Sequence, residues 1–375
     1  MTTFDSNTKR FPMRGSQQTS VFATCKIFAA GRWLCFPVVV WLTGWLASIP
    51  ARAQPALPDP EQSAADLILP AVPAIEAGLA YLAAQQVEDG AFATRGSGRN
   101  AAVCGLGGLA LLTSGSTPGR GPYGQQVDQV VDFLLEHTVP SGFIYVPDAS
   151  LHGPMYGHGF ATLFLAEVYG MSQRKDLGDK LDSAVELIVR TQNAEGGWRY
   201  EPVRADADLS VTICQIMALR AARNAGIHVP NQTIDLCIEY VKRSQNADGG
   251  FRYTLPAPGS RFPRSAAGVV ALYSAGIYEG SEIEHGLDYL DGFLPSNRRQ
   301  GQWGHFYYGQ YYGVQAMWQA GGDRWQTWYK AIRDVLIAIQ QGNGSWNDSI
   351  GPQYATAMAC IVLQTPNNVV PIFQR

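Results

Sequence analysis

One nine-residue phrase occurs twice with almost no change: Gln192-Asn-Ala-Glu-Gly-Gly-Trp198-Arg-Tyr200 and Gln245-Asn-Ala-Asp-Gly-Gly-Phe251-Arg-Tyr253. With the aromatic as marker, related copies centre on Phe92, Phe143, Trp198, Phe251, Trp303 and Trp346, spaced by 51, 55, 53, 52 and 43 residues. Six positions before the markers stand Gln86, His137, Gln192, Gln245, Asn297 and Gln340. Ten before stand Leu82, Phe133, Ile188, Val241, Phe293 and Leu336. A period of this length means stacked supersecondary units, none of which buries its apolar face alone.

Each unit reads as two helices. Before the marker the pattern is one-sided: Leu177, Leu181, Ala184, Val185 and Ile188 share a face, as do Ile234, Cys237, Ile238 and Val241. After the marker the segments are apolar nearly all round, as in Val211–Leu219 and Ala266–Leu272. One-sided helices belong on an outer layer and all-apolar ones inside it. Six pairs therefore predict twelve helices in two concentric layers over residues 74–366, with an all-α fold and a short tail at 367–375. The Gly pair supplies the turn, and the Gln and aromatic cap and pack the outer helix end.

Residues 1–53 have another character. Five basic residues lie within the first 32, followed by an apolar run from Trp33 to Pro50 and Ala51-Arg52-Ala53. That is the make-up of a secretory signal peptide, with a retained anchor helix as the alternative. Export of residues 54–375 follows from either. Residues 54–73 hold five prolines and read as a linker. The exported part carries 22 basic and 30 acidic residues, net −8. This excludes a nucleic-acid footprint and limits membrane contact to an uncleaved leader. Cys104, Cys214, Cys237 and Cys360 have no C-x-x-C spacing and are expected to be buried as small hydrophobes.

The Gln-x3-Gly-x-Trp/Phe phrase at this period resembles the repeat of the squalene–hopene cyclase and protein prenyltransferase β-subunit superfamily. The resemblance covers essentially all of the exported part. It implies one α/α toroid of six helix pairs and an apolar central cavity that takes an isoprenoid or another lipid. It makes the marker aromatics structural. The zinc of the prenyltransferases is not expected, because the one Asp-x-Cys, Asp235-Leu-Cys237, falls on an outer helix. No cofactor is implied.

In such a ring the inner helices run parallel and their N-termini meet at one rim, where unpaired N–H groups favour negative charge. The long connections of units two to four overhang that rim and carry His152, Tyr156 and His158, then Asp206 and Asp208, then Arg261 and Arg264. Unit five adds Tyr307, Tyr308, Gln310, Tyr311 and Tyr312, and unit six Gln353 and Tyr354. The position of Asp206-Ala-Asp208-Leu-Ser210-Val-Thr212 resembles the Asp-x-Asp-Asp-Thr stretch with which hopene-type cyclases protonate an alkene. Aligned on the following residues, Asp208 takes the first Asp and Ser210 the proton donor, which removes the acid. A shift of two restores an Asp there. The bland alternative is that Asp208 or Ser210 caps the third inner helix.

His158, between two glycines, suits a general acid/base or a hydrogen-bonded loop. The candidate catalytic residues are thus His158, Asp206 and Asp208. The candidate ligand contacts are Tyr156, Arg261, Arg264, Tyr308, Tyr311, Tyr312 and Tyr354, the tyrosines offering π faces to a carbocation or a sugar, or simply core. Three functions compete: a toroid that binds a lipid, with or without transforming it, a glycan-active helical barrel, and a non-catalytic scaffold for a partner protein. A filled centre would favour the scaffold.

Overall fold

The computed structural model describes residues 60–149, 153–296 and 304–374. The expected leader, His152, Asn297 and Trp303 lie outside them. An outer layer is formed by α2 (Val72–Gln85), α4 (Gly124–Glu136), α6 (Lys175–Thr191), α8 (Asn231–Arg243), α10 (Ser281–Asp291) and α12 (Gly322–Ile339). The inner layer is α3 (Ala101–Leu112), α5 (Pro154–Tyr169), α7 (Leu209–Asn224), α9 (Phe262–Ser274), α11 (Phe306–Ala320) and α13 (Pro352–Gln364). Each inner helix packs on the next and α13 returns to α3, so the toroid is closed. The fold is the all-α toroid of six helix pairs expected from the repeat.

One part of the expected linker is instead helical. α1 (Pro60–Ile68) packs on α12, where Arg333 Nη1 donates to the Leu67 carbonyl at 2.9 Å. The three described prolines of that stretch stand in first turns, where a missing N–H costs nothing: Pro60 opens α1, Pro70 the 3-10 turn Leu69–Ala71, and Pro73 α2.

The turn between outer and inner helix is the same device in every described unit. A glycine two residues before the marker has positive φ, as at Gly196 (98°) and Gly249 (82°). It lies flat on the next unit's outer helix: a Cβ at Gly196 would stand 2.0 Å from the Leu236 carbonyl oxygen. The repeat Gln ties the same two parts. Gln192 Nε2 donates to its own turn at the Gly196 carbonyl (2.8 Å) and to the Thr233 carbonyl of α8 (2.9 Å). Gln86 and Gln245 do likewise, and Gln340 Nε2 reaches the Ala74 carbonyl of α2 at 2.8 Å, closing the ring. The buried marker N–H groups of Trp198, Phe251 and Trp346 donate to Thr212, Ser265 and Thr356 on inner helices.

Unit two departs from the expected register. Its marker is Ile144, not Phe143. The left-handed Gly142 stands two before Ile144, the Thr138–Ile144 bridge matches Gln245–Phe251, and Ile144 is fully buried. An aromatic one position early misled the spacing. Thr138 then occupies the glutamine's place, and unit two lacks the amide tie.

The centre of the ring is filled at mid-height. Phe160 on α5 meets Tyr311 on α11, three places round the ring, with centroids 6.0 Å apart. Tyr312 Oη lies 3.5 Å from Cys214 Sγ on α7. All four described cysteines are buried free thiols, with desolvation raising Cys104 to about 12.

The turn geometry predicts that Gly196→Ala destabilises the protein by at least about 3 kcal/mol, through strained φ plus collision with Leu236. Gly226 also has positive φ (91°) but open space around it. Gly226→Ala is expected to cost only about 1 kcal/mol. Paired denaturant melts compare the two, and equal costs would refute the wedge.

Candidate functional site

Asp208 sits at the N-cap of α7, at the rim where the inner helices begin. Its Oδ1 accepts from Val211 N–H at 2.9 Å, so the capping role is observed. The residue is fully buried. Oδ2 has no hydrogen-bond partner; Arg199 Nε is 3.9 Å away. Burial raises the carboxyl to about 6, against the opposing pull of the Val211 N–H, Arg199 and Tyr253. A carboxyl with one oxygen unpaired by hydrogen bonds, holding its proton up to about pH 6, is equipped to act as a general acid in mildly acidic conditions.

Around it lies an aromatic cluster. Tyr200 and Tyr253 share a hydroxyl–hydroxyl contact of 2.5 Å, and the Arg199 guanidinium stacks over both rings at 5.1 and 5.9 Å. Tyr156 lies 6.2 Å from Tyr200 between ring centroids. Tyr308 Oη donates to the Ser210 carbonyl at 3.2 Å and its ring meets Tyr312 at 4.8 Å. Desolvation holds the hydroxyls of Tyr156, Tyr308, Tyr312 and Tyr354 far above the ordinary tyrosine range, so they stay neutral donors. Tyr156, through Tyr200, and Tyr308, through the Ser210 carbonyl, flank Asp208 as half-buried residues, Tyr312 lies behind Tyr308, and Tyr354 is buried on α13.

The remaining candidates lie elsewhere. Asp206 is exposed and ion-paired with Arg199, which links it to Asp208 only at second hand. Arg264 is committed to the Phe251 carbonyl (2.9 Å) and the Gly259 carbonyl (2.8 Å), and Arg261 is an exposed residue at the start of α9. Tyr311 is fully buried in the filled centre and Tyr307 is nearly so. Gln310 is buried with neither amide atom partnered, and Gln353 is half-buried.

His158 is corrected from acid/base candidate to framework. It is fully buried; Nδ1 accepts from Ile144 N–H (3.2 Å) and Nε2 is 3.1 Å from the Ala184 carbonyl. It takes in unit two the place of Thr212 and Ser265. Desolvation lowers it to about 4, so it is neutral at physiological pH.

Arg199, Tyr200 and Tyr253 were missed because they belong to the repeat phrase and read as structural. Their signal was position: two residues past the marker, both tyrosines overhang the rim. Among the described residues no group of three or more His, Cys, Asp or Glu is placed to hold a metal ion.

The comparisons agree with the fold, an α/α toroid of six helix pairs that terpene cyclases and mannanases share. The type II terpene cyclase MstE from Scytonema superposes with TM-score 0.53 at 15% identity, covering 80% of this chain and 98% of that one. An α-1,6-mannanase of Salegentibacter sp. HEL1_6 superposes with TM-score 0.56 at 9% identity, covering 82% and all of that chain. In sequence, the drimenyl diphosphate synthase of Streptomyces showdoensis is 24% identical over 172 residues, 46% of this chain and 31% of that protein's length. No protein-family profile matches.

Two outcomes follow. His158→Ala should cost about 2–4 kcal/mol, because it orphans the buried Ile144 N–H and leaves a cavity at a fully buried position. A thermal or denaturant melt within 0.5 kcal/mol of wild type would return His158 to the list of functional candidates. For Asp208 the folded state holds its proton between about pH 4 and 6 while the unfolded chain releases it. Stability therefore falls by roughly 3 kcal/mol as pH rises through that window, then levels off. Asp208→Asn, which preserves the cap acceptor, should flatten this part of the stability–pH curve.

Proposed function

We propose that the rim binds an isoprenoid or similarly apolar chain and presents Asp208 to it as a general acid. The carrying observation is the buried carboxyl with one free oxygen under a roof of neutral tyrosines. Tyr156, Tyr200, Tyr253 and Tyr308 supply π faces suited to positive charge developing on a hydrocarbon. The drimenyl diphosphate synthase relative and the terpene cyclase neighbours, one of them in complex with geranylgeranyl dihydroxybenzoate, support this choice of ligand. A glycan reading has less support. The mannanase neighbour is described with its adjacent D136 and D137 replaced, and this sequence contains no two adjacent aspartates. Export is part of the proposal and rests on the leader-like composition of residues 1–53.

The filled mid-height centre favours a second reading, a non-catalytic scaffold whose rim holds a ligand or a partner protein without turnover. Asp208→Asn separates the two. The wild type is incubated with total lipid extract or with polysaccharide fragments and examined by native mass spectrometry. A retained prenyl mass with a converted product that disappears in Asp208→Asn supports acid catalysis. A retained prenyl mass without conversion in either protein leaves a binding ring. A retained sugar, or nothing from either extract, refutes the lipid reading.

A further inference from the structure

One guanidinium stands between two carboxyls at the rim. The Asp208 N–H donates to the Trp198 carbonyl at 3.0 Å, which lays the chain before α7 alongside the marker segment and sets Arg199 beside Asp206 and Asp208. Arg199 pairs through Nη1 with the exposed Asp206, while its Nε stays 3.9 Å from Oδ2 of the fully buried Asp208. That separation is about 1 Å longer than a charge-assisted hydrogen bond. The placement is particular to unit three. The same arginine in unit four, Arg252, has Gly259 and Arg261 at the positions of Asp206 and Asp208, and it donates to the Leu255 carbonyl at 3.1 Å.

The described titratable groups that face Asp208 are Arg199, Tyr253, Tyr156 on α5, Cys214 on α7, Tyr240 on α8 and Tyr308 on α11. Desolvation raises each of these hydroxyls and the thiol, so of the six Arg199 alone is charged at neutral pH. With Asp208 protonated the group is electrically neutral, because Arg199 and Asp206 cancel. Without the Asp206 charge, Arg199 has one carboxyl left to pair with. Closing on it favours the ionised form, since an opposite charge in contact lowers a carboxyl by about 1–3 pH units.

We propose that Asp206 is a positioning residue for Asp208: it holds the Arg199 guanidinium at the surface of the rim and keeps it from closing on the buried carboxyl as an ion pair. Asp206 acts through Arg199 and touches no ligand. The inference rests on reading Asp208 as the acid of this site and adds a control on that acid. Whatever neutralises Asp206 or draws it away lets Arg199 move inward, and Asp208 then releases its proton to solvent. A direct like-charge effect has the same sign, since removing one carboxylate eases ionisation of another. The two are told apart through Arg199.

The experiment is an NMR titration of the full chain carrying isotope-labelled aspartate, with the Asp208 carboxyl signal identified by its loss in Asp208→Asn. No ligand is added, so the outcome does not depend on whether the rim takes a lipid. Asp206→Asn should lower the Asp208 midpoint by about one pH unit or more. Asp206→Glu, which keeps the charge, should recover most of that shift. Arg199→Gln should raise the midpoint, and in that background Asp206→Asn should move it by less than half as much as in wild type. Asp206 lies on an exposed connection, where such changes leave the fold intact. An unchanged midpoint in Asp206→Asn overturns the proposal. So does a full drop that persists without Arg199, which would make the effect one of direct repulsion.

Discussion

The whole structure depends on a close approach of backbone to backbone. A left-handed glycine lies against a carbonyl of the neighbouring outer helix, and the repeat glutamine bonds that helix three residues earlier while also closing its own turn. Each unit's turn is thus completed by the next unit. No pair of helices has a finished hydrogen-bond inventory by itself, which is the local reason why a ring forms and not a free-ended stack. The amphipathic outer helices follow from the same rule. They need one apolar face for the inner layer and a lateral carbonyl edge for the neighbour's glutamine.

Much of this was legible because the constraint is stereochemical and recurs. The turn glycine keeps its offset in every described copy, and glutamine and aromatic in all of these but unit two, so six imperfect repeats announced a closed two-layer ring. Unit two shows the limit of that reading. Phe143 is a plausible marker by residue type, yet the backbone hydrogen bonds select Ile144, because what the position requires is a buried side chain with an N–H aimed at the inner helix. The linker expectation failed for a related reason. Proline marks both extended chain and helix first turns, and its position relative to the following apolar run decides between them.

The site was less legible. Asp208 stood out as an acid at an inner-helix start, and its cap bond followed from position alone. Its surroundings include Arg199 and Tyr253, whose repeat membership hid them. The tyrosines after Phe306 were ambiguous in sequence, since one helix turn carries Tyr308 to the rim and Tyr311 to the centre. Only packing against α5 and α7 divides them into a rim group and a plug of the centre.

The exception in unit two has a consequence for how the ring responds to acid. Four of the described joints use an amide, which does not titrate, while the joint between units two and three uses His158. Its Nδ1 must be unprotonated to accept from Ile144. The imidazole is therefore a chemically addressable seam: protonation turns that acceptor into a donor facing another donor. Among the described joints, the ring acquires in this way a preferred place to part.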